Sequence, residues 1–437
     1  MLQAVQFNGV IILFKRMVAI IAATVMLLCS VSCSIVENVL YAALETPSNL
    51  EDRHEYTAEA YEFPTQIGEF VSVSKNEYLC YPNLTDAQKT AYDYMYESVL
   101  RMDEALFYVG DCTNDDVTVA YHALTYDNPQ LMWIPSTYGV SVSTEGAFVR
   151  FTDPDGSYSY TMTPEERDEY LDKLYEEVDL FINQNLLPTM TAYEIELAVN
   201  DWLCEQIEYN QEAADAVKNK KQQSHRNAWT PYGAIVEDSA VCAGYATALQ
   251  FVLNYVGVQC GSLRVKSEGE MHMVCVVKLG DEWSYIDPTW NDKETCGLAY
   301  THDYFNLTYD EIIKTHIIFD EWDKVLESGE KLNSNFNIFL PECNSKEYNY
   351  YKQSNLQINN ASEFKTVVVR EFKAAAKDNK TSLEFQLTYG ESTNSDIEKL
   401  INRYNIIDSL ERYCGKISSV QYASLNNGAF CMKINLE

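Results

Sequence analysis

The stretch "MHMVCVVKLGDEWSYIDPTW", residues 271–290, restricts the fold more than any other part of the chain. Two runs rich in β-branched and aromatic residues meet at Gly280-Asp281, a dipeptide suited to a two-residue hairpin, so the stretch predicts an antiparallel pair. With Leu279 opposite Glu282, Val274 falls opposite Asp287, and His272 shares the face of Val274. Diagonal neighbours on such a pair lie roughly 7 Å apart at the backbone, close enough for an imidazole to meet a carboxylate. Cys275 then points to the other face. A slip of one residue would part His272 from Asp287, so the pairing stands or falls with the turn.

A second constraint comes from "EDSAVCAGYATALQFVLNYVGV", in which Ala246, Leu249, Leu253 and Val256 recur at helical spacing up to Gly257. Asp238 or Ser239 is the expected cap, which puts Cys242 at the helix start. Unpaired amides and the helix dipole there favour a thiolate and could also hold an oxyanion. Gly244 is expected to leave room for an approaching group. A Cys in this place is also common core filler, a strand His is often merely satisfied, and Asp before Pro often forms a turn. Together, however, Cys242, His272 and Asp287 supply the three residue types of nucleophilic catalysis, each with the local structure its role needs. His302 and the acidic residues near it show no H-E-x-x-H spacing, and neither a metal nor a cofactor is expected.

Elsewhere the chain reads as ordinary helices and strands. Ser or Thr followed three residues later by Glu or Gln predicts helix starts at Thr85/Gln88, Thr163/Glu166, Thr191/Glu194 and Ser395/Glu398. Behind the second, Leu171, Leu174, Val178 and Phe181 share one face; behind the third, Ile195, Val199, Leu203 and Ile207 do. Residues 50–185 are expected to be a mixed helix and strand region, 190–325 the domain holding Cys242, 340–362 a linker, and 363–437 a small α/β domain containing "KTVVVREF", "SLEFQLTY" and "GAFCMKINL". The segment "QEAADAVKNKKQQSHRN" reads as an exposed excursion.

Lys15 and Arg16 precede an uncharged run from Met17, followed by small residues, which is the order of a secretory leader over residues 1–33. Cleavage before Cys33 would leave a first residue suited to lipidation. The expected location is outside the cell or on its surface, with membrane contact only through the leader or a lipid on Cys33. Against 65 Asp plus Glu stand 32 Lys plus Arg, and the formal charge of -33 argues against a nucleic-acid partner. The ten Cys beyond Cys33 contain no C-x-x-C pair, which argues against a zinc ribbon or a thioredoxin-like centre.

The segments "AWTPYGAIVEDSAVCAGYATAL", "EMHMVCVVKLGDEWSYIDPTWND" and "YFNLTYDEIIKTH" resemble the transglutaminase-like superfamily in its exported bacterial form, over about residues 190–320. The resemblance implies an α+β fold with a papain-like core, in which a helix carrying the Cys packs on an antiparallel sheet carrying the His and Asp. It implies Cys242 as nucleophile, His272 as base and then acid, and Asp287 as the group that orients the ring. Trp229 or Tyr232 would be candidates for the oxyanion or substrate wall. Met273, Val274 and Cys275 depart from the small residue, Trp and Asn that commonly follow the family's His. The implied reaction is acyl transfer through a thioester on protein or peptide substrates, with hydrolysis expected over cross-linking; an inactive surface module binding peptide or glycan is the rival.

Overall fold

The computed structural model describes residues 58–103, 105–135, 137–152, 160–218, 222–321, 336–390 and 392–437. The leader and Cys33 lie outside the described residues. Among those described, no helix is long and apolar enough to cross a membrane.

The chain divides into two compact units. One comprises, of the described residues, 58–61, Asp86–Tyr121 and Trp133–Pro164. It contains helix α1 (Asp86–Arg101), strand β1 (Phe107–Gly110), the start of helix α2 (Asn114–Asp127), and the hairpin of β2 (Thr137–Ser143) and β3 (Gly146–Thr152). Its sheet has the order β1-β3-β2. Trp133 is fully buried and donates from its indole to the Val99 carbonyl at 3.0 Å.

The other unit comprises Glu62–Thr85, His122–Met132 and Glu165–Glu437. The expected N-terminal region of 50–185 is therefore not one piece. Helix α3 (Pro164–Asn185) lies almost wholly in this unit, because its apolar stripe packs there: Tyr175 meets Phe251 and Tyr255 at ring distances of 5.3 and 5.1 Å, and Phe181 stacks on Trp202 at 4.1 Å. Helix α4 (Ala192–Gln206) starts at the predicted reciprocal cap, with Thr191 Oγ1 accepting from the Glu194 amide and Glu194 accepting from the Thr191 amide.

Helix α5 (Cys242–Tyr255) is central. Ten of its residues are buried, on all sides rather than one stripe, as expected for a helix enclosed by a core. Its buried Gln250 is satisfied at both ends, donating to the Tyr126 carbonyl at 2.6 Å and accepting from the Ser262 amide at 3.1 Å. Against α5 lies an antiparallel sheet of order β6-β5-β4-β7, formed by β4 (Cys260–Ser267), β5 (Glu270–Leu279), β6 (Glu282–Ile286) and β7 (His316–Ile318). The predicted register holds: Leu279 faces Glu282 and Tyr285 faces Val276. Gly280 takes φ +62°, the left-handed geometry the tight turn demands. Beyond β6, the short helix α6 (Pro288–Asn291) is capped by Asp287.

Residues 340–362 are not an open linker. They bury Cys343 and Tyr351 and supply β8 (Gln357–Ile358), which pairs parallel with β9 (Ser382–Leu387). The C-terminal sheet has the order β8-β9-β11-β10, completed by β10 (Ile417–Ser424) and β11 (Ala429–Leu436). Its core is built from Phe364, Phe372, Phe385, Phe430, Ile397 and Leu410, which draw on the sheet and on helices α7 (Phe364–Ala375), α8 (Asn394–Arg403) and α9 (Ile406–Cys414). "KTVVVREF" is helical within α7. The cap of α8 is Thr393, accepting from the Asp396 amide, two residues before the predicted Ser395.

Candidate active site

Three elements bring the site together. Helix α5 begins at Cys242 itself, with Val241 as its cap residue and no side-chain cap. The expected Asp238 or Ser239 cap is absent because Asp238 takes φ +51° and Ser239–Ala240 pairs as a two-residue strand with Glu208–Tyr209. No side chain caps the first turn; the Gly244 amide donates to the Val241 carbonyl at 2.8 Å, and the Cys242 and Ala243 amides stand ahead of it at the helix start, the place where a helix receives an anion. Cys242 is partly exposed.

His272 projects from β5, and Asp287 closes β6. The His272 Nε2 lies 2.7 Å from Asp287 Oδ2, and the carboxylate is fully buried. Asp287 Oδ1 accepts the amides of Thr289 and Trp290, each at 3.1 Å, so a single side chain caps α6 and receives the ring. Bonding through Nε2 leaves Nδ1 as the ring atom able to serve Cys242. Burial alone would depress the pKa of His272, but the charge and hydrogen bond of Asp287 and the hydrogen bond and charge of Cys242 carry it up to about 10. Burial would likewise raise Asp287; the two imidazoles beside it hold it near 2. Both shifts favour the charged pair, an imidazolium beside a carboxylate.

The second imidazole belongs to His316, which the sequence reading did not single out. Its Nε2 lies 3.1 Å from the same Asp287 Oδ2. His272 Nε2, Asp287 Oδ2 and His316 Nε2 lie within 4.8 Å of one another and are ligand types that hold metals. In the structure both imidazoles bond the Asp287 carboxylate directly.

The α6 turn is fixed from behind. Asn291 donates to Asn200 on α4 at 3.1 Å and accepts from the Tyr304 amide at 3.0 Å, while the Tyr245 hydroxyl of α5 bonds Asp292 at 2.6 Å. These contacts lock Asp287 between α4 and α5.

The remaining expected residues separate. Trp229 packs against a cluster of Ala213, Ala228 and Val241, the last of which precedes Cys242. The supposed excursion begins as a helix over Gln211–Lys218, whose buried Ala213 anchors this cluster. Tyr232 is buried and stacks on Tyr170 of α3 at 4.0 Å, so it serves packing on that side. Gly244 does not open space for a substrate. A Cβ there would stand 2.6 Å from both the Ala228 carbonyl and the Ala240 side chain, so the glycine admits a neighbouring segment. Cys275 is fully buried and bonds the Ala246 carbonyl at 3.1 Å. His302 sits in a separate polar clasp, with Nδ1 2.5 Å from Glu384 and Nε2 2.9 Å from Asp201.

Residues 181–292 match the family described as a transglutaminase-like domain, which spans Cys242, His272 and Asp287. No curated protein matches the chain. Two solved structures resemble it at 13% identity: a TGase, with a TM-score of 0.29 over 49% of this chain and 57% of that one, and a Cytophaga hutchinsonii protein assigned as a cysteine protease, with a TM-score of 0.21 over 35% and 61%. The chain spans less than two thirds of the length of each. Residues 181–292 are thus similar to a transglutaminase-like domain, and the helices and antiparallel sheets around them make an α+β fold.

Proposed function

We propose that this chain is an exported cysteine acyl-transfer enzyme that opens peptide or glutaminyl amides through Cys242, His272 and Asp287, with hydrolysis as its main outcome. The Cys242 sulfur attacks the amide carbon, and the oxygen gains charge opposite the first-turn amides of α5. Collapse of that adduct breaks the C–N bond as His272 gives its proton to the departing amine, leaving a thioester on Cys242. His272 then takes a proton from water as the water adds to the thioester carbon. Loss of the sulfur yields a carboxylic acid and restores the ion pair. A lysine amine in the place of water would give a cross-link, a difference set by what the cleft admits.

The observation that supports this reading is the 2.7 Å bond from His272 Nε2 to a fully buried Asp287, which leaves the other ring nitrogen for the Cys at a helix start without a side-chain cap. Turnover of casein and of glutaminyl peptides, followed by ammonia release and new amino termini, tests it. Replacing Cys242 by Ala or Ser is expected to abolish both signals with the circular dichroism unchanged. Full turnover by C242A overturns the proposal, and an inactive wild type that still binds peptide supports the rival binding module.

A further inference from the structure

Asp287 receives four donors. Its Oδ1 takes the Thr289 and Trp290 amides, and its Oδ2 takes two imidazoles, His272 at 2.7 Å and His316 at 3.1 Å. An Asp that only oriented His272 would not need the second ring. His316 is buried on β7, which pairs with β4 at the sheet edge opposite β6, and its ring stands 4.9 Å from Trp290 and 5.4 Å from His272.

The two sides of the ring tell which proton it carries. His316 Nδ1 is 2.8 Å from Thr315 Oγ1, whose hydroxyl also lies 3.4 Å from the Ile312 carbonyl. His316 Nε2 faces the acceptor-only Asp287 carboxylate and so carries a proton, and in the neutral ring Nδ1 then accepts from the Thr315 hydroxyl. The alternative, a second imidazolium, would bury two cations on one carboxylate with only the neutral Thr315 hydroxyl on the far side of His316, which the desolvation of charge strongly disfavours.

We propose that His316 is a positioning residue for the Cys242–His272–Asp287 site: a neutral imidazole, its Nε2 proton directed at Asp287 and its Nδ1 served by Thr315, that pins the Asp287 carboxylate and shares its Oδ2 with His272. This rests on the reading of that site given above. Two effects follow. The pinned carboxylate cannot swing, so His272 keeps its angle to the sulfur. By occupying part of Oδ2, His316 also lessens the stabilisation Asp287 gives the His272 imidazolium, and so eases release of the Nδ1 proton to the leaving amine.

The test compares His316→Leu, His316→Gln and Thr315→Val with the wild type, each checked for folding by circular dichroism. The glutamine side chain retains an amide donor near the position of Nε2, whereas the leucine side chain has none. On a glutaminyl peptide, H316L is expected to lose about ten- to a hundredfold in kcat with KM within about twofold, the scale on which groups that orient reacting ligands act. H316Q should recover most of this, and T315V should lose only part. The alkaline limb of kcat/KM should move to higher pH in H316L and return in H316Q. Nitrogen-15 spectra of histidine-labelled protein should show His316 as the neutral Nε2–H tautomer around neutral pH. Equal losses in H316L and H316Q with an unmoved alkaline limb would reduce His316 to packing, and a charged or Nδ1–H ring would overturn the assignment. H272A separates the two readings: if it keeps the alkaline limb and full turnover, the Cys–His–Asp reading fails, whereas loss of both with H316L unaffected sinks the role of His316 alone.

Discussion

Glu196 makes a sharp test of how this fold handles buried charge. It lies on α4 with no exposed surface, and Asn306 donates to its Oε2 at 2.9 Å. Its Oε1 and Asn306 Oδ1 are both buried without a hydrogen-bond partner, which is what two acceptors show when one of them in fact carries a proton. Protonated on Oε1, Glu196 can give that proton to Asn306 Oδ1 and close an acid–amide ring. Burial drives its pKa from 4.5 up to about 8 despite the Asn306 bond. Between those values the folded state holds a proton the unfolded chain has lost, so this contribution is complete below about pH 4.5 and falls away as the pH rises to about 8. At about 1.4 kcal/mol per tenfold change in proton affinity, it amounts to roughly 4 to 5 kcal/mol. Glu196→Gln removes the titration and keeps both halves of the ring, since Gln can accept from Asn306 and donate to it. Urea unfolding at about pH 5 and about pH 8.5 should show the variant gaining about 4 kcal/mol on the wild type between the two. Asp127, also buried and raised to about 7, titrates in both proteins and cancels in the comparison. An unchanged difference across that range, or a variant less stable at the higher pH, refutes the acid–amide ring.

Two further outcomes follow from the same structure. Burial lowers His302, but Glu384 and Asp201 carry it up to about 9, so its clasp adds stability below about pH 6.5 that is lost toward pH 9; Glu384→Gln should flatten that slope by up to roughly 3 kcal/mol in the same unfolding assay. Gly244→Ala should lower the melting temperature, with a net cost of about 1–3 kcal/mol. The clash at 2.6 Å with the Ala228 carbonyl outweighs the gain in helix propensity of about 1 kcal/mol.

Local chemistry made the heart of the site legible. The turn at Gly280-Asp281 set the register, and with it the meeting of His272 and Asp287, because side chains in a strand alternate and a two-residue turn leaves one pairing. Helical spacing foretold α5, and Cys242 does begin it, though behind Val241 and not behind the expected Asp238 or Ser239 cap. What stayed hidden depends on contacts between distant segments. His316 reaches Asp287 from a strand 29 residues further on, and nothing in its neighbours announces a second donor. Glu196 offered a signal, since it sits beside Ile195 on the buried face of α4 where a charge is costly. Gly244 was misread because its lack of a side chain serves packing against the segment from Ala228, which spacing cannot reveal. The expected linker failed because Tyr351 and Ile358 are buried by a sheet assembled from later residues.

The central claim is that Cys242 differs in reactivity from every other described thiol because it alone is served by His272. Brief iodoacetamide labelling at about pH 6, with each Cys peptide quantified by mass spectrometry, measures this directly. The account predicts that Cys242 is alkylated well ahead of the other nine described cysteines, and that His272→Ala removes the lead. A Cys242 that reacts no faster than Cys112 or Cys414, or that keeps its lead without His272, contradicts it.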